Sequence, residues 1–184
     1  LLIVLLTLGL ISSVVAENDI TYNSAYSAYI TNDYQKAFGE FLVLGKAENK
    51  KAQGWLGFMY EKGKGVAQDY KQAVSWYQKA ADQGDSYAQH QLGKMYNKGT
   101  GVAQDYKQAV SWYQKAADQG DSYAQYYLGR MYKNGSGVTK DYEKTVAWYQ
   151  KAADQGHIKA SQELPALKLL IISNNKKSYK SSLN

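Results

Sequence analysis

Residues 67–102 read AQDYKQAVSWYQKAADQGDSYAQHQLGKMYNKGTGV, and residues 103–138 read AQDYKQAVSWYQKAADQGDSYAQYYLGRMYKNGSGV. The two stretches differ at only six of 36 positions. The same step of 36 runs outward through Tyr34, Tyr70, Tyr106 and Tyr142, through Trp76, Trp112 and Trp148, and through Leu56, Leu92, Leu128 and Leu164. Gly65, Gly101 and Gly137, each followed by Val, obey it too. A fixed period in this range is the mark of a repeat architecture.

One copy spells out two helices. Asp69 is an N-cap and Gln72 stands at the capping-box position. Ala73, Tyr77 and Ala81, flanked by Val74 and Ala80, form one apolar stripe. Gly84 fits the left-handed residue that ends a helix, and Asp85 caps the next one. There the stripe is Ala88, Leu92 and Tyr96, with Gly93 removing bulk beside Leu92. Gly99-Thr100-Gly101-Val102 supplies the turn to the following copy. A lone helical hairpin cannot cover its stripe, whereas stacked copies cover one another. The expected fold is all-α: a right-handed superhelical solenoid of stacked antiparallel helix pairs. No alternation of period two is long enough for a sheet.

Composition narrows the function. The chain has 184 residues, 45% of them apolar, with eighteen Tyr and four Trp, which is far from a disordered composition. With no Cys there is no disulfide framework, thiolate metal site or Cys nucleophile, and two His make a His-based metal cluster improbable. The net charge is +6, but residues 17–163 contribute only +2. Residues 164–184 hold four Lys and no acid. Arg130 is the sole arginine, so neither a basic face nor Arg forks for nucleic acid are present. Neither a Ser/His/Asp arrangement, a phosphate loop nor metal-ligand spacing occurs. Asp69, Asp105 and Asp141 read as helix caps and lie too far apart for shared acid–base work.

The run Ala-x-x-x-Leu-Gly-x-x-Tyr-x-x-Gly-x-Gly-Val-x-x-Asp-x-x-x-Ala-x-x-Trp-Tyr-x-x-Ala-Ala-x-x-Gly resembles the Sel-1-like repeat, a relative of the tetratricopeptide repeat. In that register the full copies are 52–87, 88–123 and 124–159. A partial copy covers about 33–51, where Tyr34, Ala37 and Phe41 match but Glu40 replaces Trp and Gly45 replaces Ala. Another begins at Ala160, where Leu164 matches but Pro165 replaces Gly. The resemblance implies an adaptor or scaffold that binds proteins. Its exported bacterial members are associated with envelope processes and host contact. The implied partner is a protein, with no cofactor, metal or nucleic acid.

The six differences point to a surface. They are His90/Tyr126, Gln91/Tyr127, Lys94/Arg130, Asn97/Lys133, Lys98/Asn134 and Thr100/Ser136. Positions 90, 94, 97 and 98 share a helical face distinct from the Ala88–Leu92–Tyr96 stripe. That face is expected to meet solvent. Tyr126, Tyr127 and Arg130, with His90 and Lys94 one copy earlier, are the candidate partner-binding residues, since Tyr and Arg concentrate at hot spots. Drift on a solvated face is the alternative, and both stay open. Trp76, Trp112 and Trp148 read as packing rather than as a stacking site. His90 and His157 read as capping or surface residues.

Some cysteine-rich members of the resembled family are linked to penicillin binding or β-lactamase activity. This chain lacks those cysteines, and its one Ser-x-x-Lys, Ser173 to Lys176, stands without companion motifs. The chain is expected not to be an enzyme. A β-lactamase-like or peptidoglycan-binding role is the second reading, and a purely structural envelope role the third.

The ends carry their own signals. Leu1 to Ile11 is apolar, and Ser12 to Ala16 is small before the polar Glu17. This reads as a signal peptide, residues 1–16, cleaved after Ala16, with its charged leader expected ahead of Leu1. The segment is too short for a membrane span of roughly 20 residues, so a periplasmic or secreted product is expected. Residues 17–51 would hold a leading helix over 22–30 and the first partial repeat. Pro165 should break or restart the last helix. Residues 160–172 would form a C-terminal partial repeat and capping helix, in which 166–172 cap the solenoid or, as a second reading, dock a partner or a membrane surface. Residues 173–184 are expected to form a disordered basic tail.

Overall fold

Helices start wherever Thr, Asp or Asn precedes an apolar stripe. The computed structural model describes residues 20–182. Thr21 caps α1 (Tyr22–Ile30), Asp33 caps α2 (Tyr34–Lys46) and Asn49 caps α3 (Lys50–Lys62). Asp69, Asp85, Asp105, Asp121 and Asp141 cap α4 (Tyr70–Asp82), α5 (Ser86–Lys98), α6 (Tyr106–Asp118), α7 (Ser122–Asn134) and α8 (Tyr142–Asp154). The last is α9 (Ile158–Ser182). Asp69 Oδ1 accepts from the amides of Lys71 and Gln72 at 2.8 and 3.0 Å, satisfying donors that a helix start leaves open. The expected reciprocal bond from Gln72 is not made. A capping box closes instead at Thr21 and Ser24. All described regular structure is helical.

The described residues fall into two compact units, one ending at Gln83 and one starting at Gly84. In the first, α1 packs on α2, α2 on α3 and α3 on α4. Its core joins Ala25, Ala37, Phe41, Leu56 and Met59 to Trp76. An aromatic layer seals its start: Phe41 stacks on Trp55 at 5.5 Å, and the Trp55 indole donates to the Tyr22 hydroxyl at 2.8 Å. In the second, α5 to α9 pack in sequence. Ala109, Tyr113, Leu128 and Met131 form one cluster, and Tyr149, Ala152, Ala160, Leu164 and Leu167 another.

The stripes hold with one adjustment. Ala73, Tyr77 and Ala80 are fully buried, as are Ala88 and Leu92. Met95 completes the second stripe, while Tyr96 is only half-buried. Trp76 and Trp112 are buried and Trp148 half-buried, each with a lysine three residues on lying 3.9 to 4.3 Å over its ring. Packing is therefore their role. A ladder of glutamines repeats as well: Gln83 donates to Gln53, Gln119 to Gln89 and Gln155 to Gln125, at 2.7 to 2.8 Å. Gln53, Gln89 and Gln125 are buried, and the bond from an exposed glutamine of the next repeat offsets the cost of burying their side-chain oxygens. In the linkers, Gly65 and Gly137 have positive φ and lie against the carbonyls of Tyr34 and Tyr106, where a Cβ would fall at 2.0 and 2.4 Å. Only glycine fits there.

The last helix departs from expectation twice. Pro165 lies inside α9 without breaking it. Pro165 and Ser161 both face solvent, so water can take the Ser161 carbonyl that proline leaves without a donor. The helix also runs through Ser182, past Ser173, where a disordered tail is expected; no glycine or second proline interrupts that stretch. Leu169 and Ile172 are exposed on it. No described helix is long and apolar enough to cross a membrane. The signal-peptide reading of residues 1–16 falls outside the described residues.

Candidate functional site

Five of the six positions that distinguish the near-identical copies, as they stand on α7, border two depressions that share Tyr126 and Arg130. Tyr126 and Arg130 lie a helical turn apart on α7, and Tyr127 is beside them. Together with Tyr123 they form one wall of a cleft of about 440 Å³. The other wall is the turn into α9, Gln155 to Lys159. A second depression of about 460 Å³ shares Tyr126, Arg130 and Lys159 and adds Lys133 and Glu163.

Stacked rings build the cleft floor. His157 stacks on Tyr126 with ring centres 4.5 Å apart, and Tyr123 meets its edge at 5.0 Å. Tyr127 stacks on the fully buried Tyr113 at 5.4 Å. The Arg130 guanidinium lies 5.9 and 5.8 Å from the Tyr126 and Tyr127 ring centres, within cation–π range. His157 occupies the register of Asp85 and Asp121 and caps α9 as a neutral ring. Its Nδ1 accepts the Ala160 amide at 3.2 Å, which puts the proton on Nε2. Burial is the chief cause that holds its pKa below 6.5, with the Lys159 charge adding to it.

Glu163 is committed to structure. It accepts from Lys133 at 2.7 Å, from the Tyr126 hydroxyl at 2.9 Å and from Tyr149 at 3.3 Å. Burial alone would raise its pKa, but the Lys133 and Tyr126 hydrogen bonds and the Lys133 charge outweigh it and hold the carboxyl below its usual value. Burial, then the bond to Glu163, pushes Tyr126 up to about 12.

Tyr126, Tyr127 and Arg130 are thus brought together as the sequence suggests, but the face is not uniformly solvent-exposed. Tyr126 is only 5% exposed. His90, one repeat earlier in register, is buried at 8%; it stacks on Tyr123 at 5.9 Å, and its Nδ1 is 3.8 Å from Asp121. It supports the cleft from beneath. Lys94 is half-buried, donates to Gln91 at 2.9 Å, and does not line the cleft. The reason is geometric. A residue on α5 or α7 meets the partner helix 31 to 37 residues on, as in Tyr126–His157 and Tyr126–Glu163, so a single-helix face cannot tell exposure from contact between repeats. Tyr123, His157 and Lys159 are the site residues that sequence reasoning missed. The step of 36 aligns Lys159 with Tyr123 and His157 with Asp121, but a register within one helix does not say which residues of the next helix it faces. Among the described residues no group of three or more His, Asp or Glu could hold a metal ion.

Comparisons with known proteins agree with this architecture. The chain is similar to a Sel1 repeat protein from Oxalobacter formigenes, with 34% identity over 78% of the chain and a TM-score of 0.75. It is also similar to c5321, a protective antigen of uropathogenic Escherichia coli with an SLR fold, with 41% identity over 71% of the chain and a TM-score of 0.70. The chain spans 59% and 28% of those two proteins. Cysteine rich protein B of Helicobacter pylori shares the fold at 21% identity, over 71% of this chain and 93% of that one, with a TM-score of 0.57. No curated protein matches the sequence. The Sel1 repeat model matches residues 50–85, 86–121 and 122–157. Such repeats belong to the tetratricopeptide-like superfamily and generally form non-catalytic scaffolds for protein–protein contact. With more than half of its residues matched, the chain belongs to the Sel1 repeat family.

Proposed function

We propose that this chain is an exported Sel1-repeat adaptor that docks a protein partner in the cleft between α7 and α9. One observation carries the docking reading: an open cleft walled by Tyr123, Tyr126 and Tyr127, in which Arg130 forms no ion pair among the described residues. Rigid aromatic anchors beside an arginine are what binding hot spots are made of. The export reading rests on the apolar Leu1–Ile11 segment and the small residues up to Ala16. A protective antigen among the similar proteins is in keeping with it.

The test is affinity capture from a bacterial envelope extract, using the full chain and a Tyr127→Ala/Arg130→Ala double variant. A discrete protein held by the first and lost by the second is expected. Equal retention by both would move docking away from the cleft, and retention of nothing by either would overturn the adaptor reading. The protein is expected to leave nitrocefin unhydrolysed; turnover would make it an enzyme.

A further inference from the structure

We infer that the α7–α9 cleft selects an acidic segment of its protein partner, seating an Asp or Glu side-chain carboxylate between Arg130 and Lys159. This deepens the docking reading above and rests on it. The argument is one of charge. The cleft lining contains Arg130, Lys159 and His157 and no carboxylate. Arg130 and Lys159 are both exposed, and neither forms an ion pair among the described residues. The nearby acids are engaged: Glu163 is held by Lys133, Tyr126 and Tyr149, and Asp121 accepts the Ala124 amide at 2.7 Å and faces His90.

The copy before it carries less of this charge. There the register of His157 holds Asp121 and that of Lys159 holds Tyr123. An acid is replaced by a neutral cap and a neutral ring by a cation, while Lys94 in the earlier copy already stands in the register of Arg130, so the α7–α9 position carries more positive charge than the one before it. Arg130 lies over tyrosine faces, which leaves its planar fork to meet a carboxylate bidentately. The tyrosines beside it offer apolar surface to the neighbouring side chains of an extended segment. The +2 balance of residues 17–163 and the single arginine disfavour a nucleic-acid ligand.

The experiment uses the full chain on an array of N-acetylated, C-amidated peptides of varied sequence, in which Asp and Glu are exchanged for Asn, Gln and Lys. Bound peptides are expected to be enriched in Asp or Glu, with affinity falling on the order of tenfold on exchange to Asn or Gln. Arg130→Ala and Lys159→Ala should each abolish the acid preference, while Lys71→Ala, on α4, should keep it. Circular dichroism checks that the variants fold, and both site residues are exposed enough for that to be expected. Acid preference that survives an Arg130→Ala/Lys159→Ala double variant overturns the inference. Peptides that bind without acid preference, yet are lost on Tyr127→Ala, overturn the carboxylate claim and leave the docking reading standing. Binding indifferent to Tyr127, Arg130 and Lys159 alike overturns both.

Discussion

The Tyr77 hydroxyl donates to the Glu61 carboxylate at 2.9 Å, in the core of the first unit. One repeat on, the residue in the register of Glu61 is Asn97, and the fully buried Tyr113 hydroxyl finds no hydrogen-bond partner among the described residues. At the third position Tyr149 recovers an acid, Glu163, from the following helix. An unmade buried hydrogen bond costs about 1–3 kcal/mol. Tyr113→Phe should therefore be neutral or stabilising by up to about 1 kcal/mol, and Tyr77→Phe destabilising by about 1–3 kcal/mol. Urea melts with matched slopes decide it. An equal loss for both variants would mean that Tyr113 has a partner in solution.

Two kinds of helical glycine should respond in opposite ways. A Cβ at Gly57, Gly93 or Gly129 would fall 2.5 to 2.6 Å from the ring of Tyr77, Tyr113 or Tyr149. Those rings are fully buried and cannot yield, so Gly93→Ala or Gly129→Ala should cost about 1–3 kcal/mol despite alanine's better helix propensity. Gly39, in the middle of α2, has nothing within 4 Å. Gly39→Ala should gain about 0.5–1 kcal/mol. Thermal melts of the pair separate packing from propensity.

These contrasts show what the sequence holds and where it stops. The caps at Asp69, Asp85, Asp105, Asp121 and Asp141 and the stripes through Tyr77 and Leu92 are local signals, and the step of 36 multiplies them, so the helix pairs were legible. Tyr126, Tyr127 and Arg130 were legible as a group because the copies diverge there. The burial of His90 was not, because it comes from Tyr123 and Asp121, more than 30 residues away on another helix. The glutamine ladder escaped notice for the same reason: Gln119 and Gln89 look like ordinary polar residues until the helices pack.

The connection before α3 carries a strained residue. Glu48 has φ 62°, whereas the residues in its register, Gly84, Gly120 and Gly156, are glycines at φ 82°, 91° and 83°. The left-handed region costs a non-glycine residue on the order of 1–2 kcal/mol. Glycine's greater freedom in the unfolded chain gives back about half of that. Glu48→Gly should thus stabilise by about 0.5–1 kcal/mol. Gly120→Ala, which meets no atom within 4 Å, should lose about 1 kcal/mol from strain alone. Chemical denaturation measures both, and a destabilised Glu48→Gly would mean that its side chain holds the turn.

Acid should weaken the second unit in two stages. Burial lowers the His157 pKa below 6.5, so the unfolded chain takes up that proton first. Stability is then complete above about pH 6.5 and declines as pH falls toward the depressed folded value. Protonation also puts hydrogen on Nδ1, which removes the acceptor for the Ala160 amide and the cap of α9. Glu163 acts lower. Its bonds to Lys133 and Tyr126 outweigh burial and depress its pKa from 4.5, so its contribution is present above that value and lost as pH falls through the folded one. His157→Asn keeps a capping side chain without a titrating proton. Thermal melts across pH 3–8 should show a midpoint that drops below about pH 6.5 in the native chain, drops less over that range in His157→Asn, and falls further in both below about pH 4.5. A native-chain midpoint that does not move between pH 7 and 5 would remove His157 as a titrating cap.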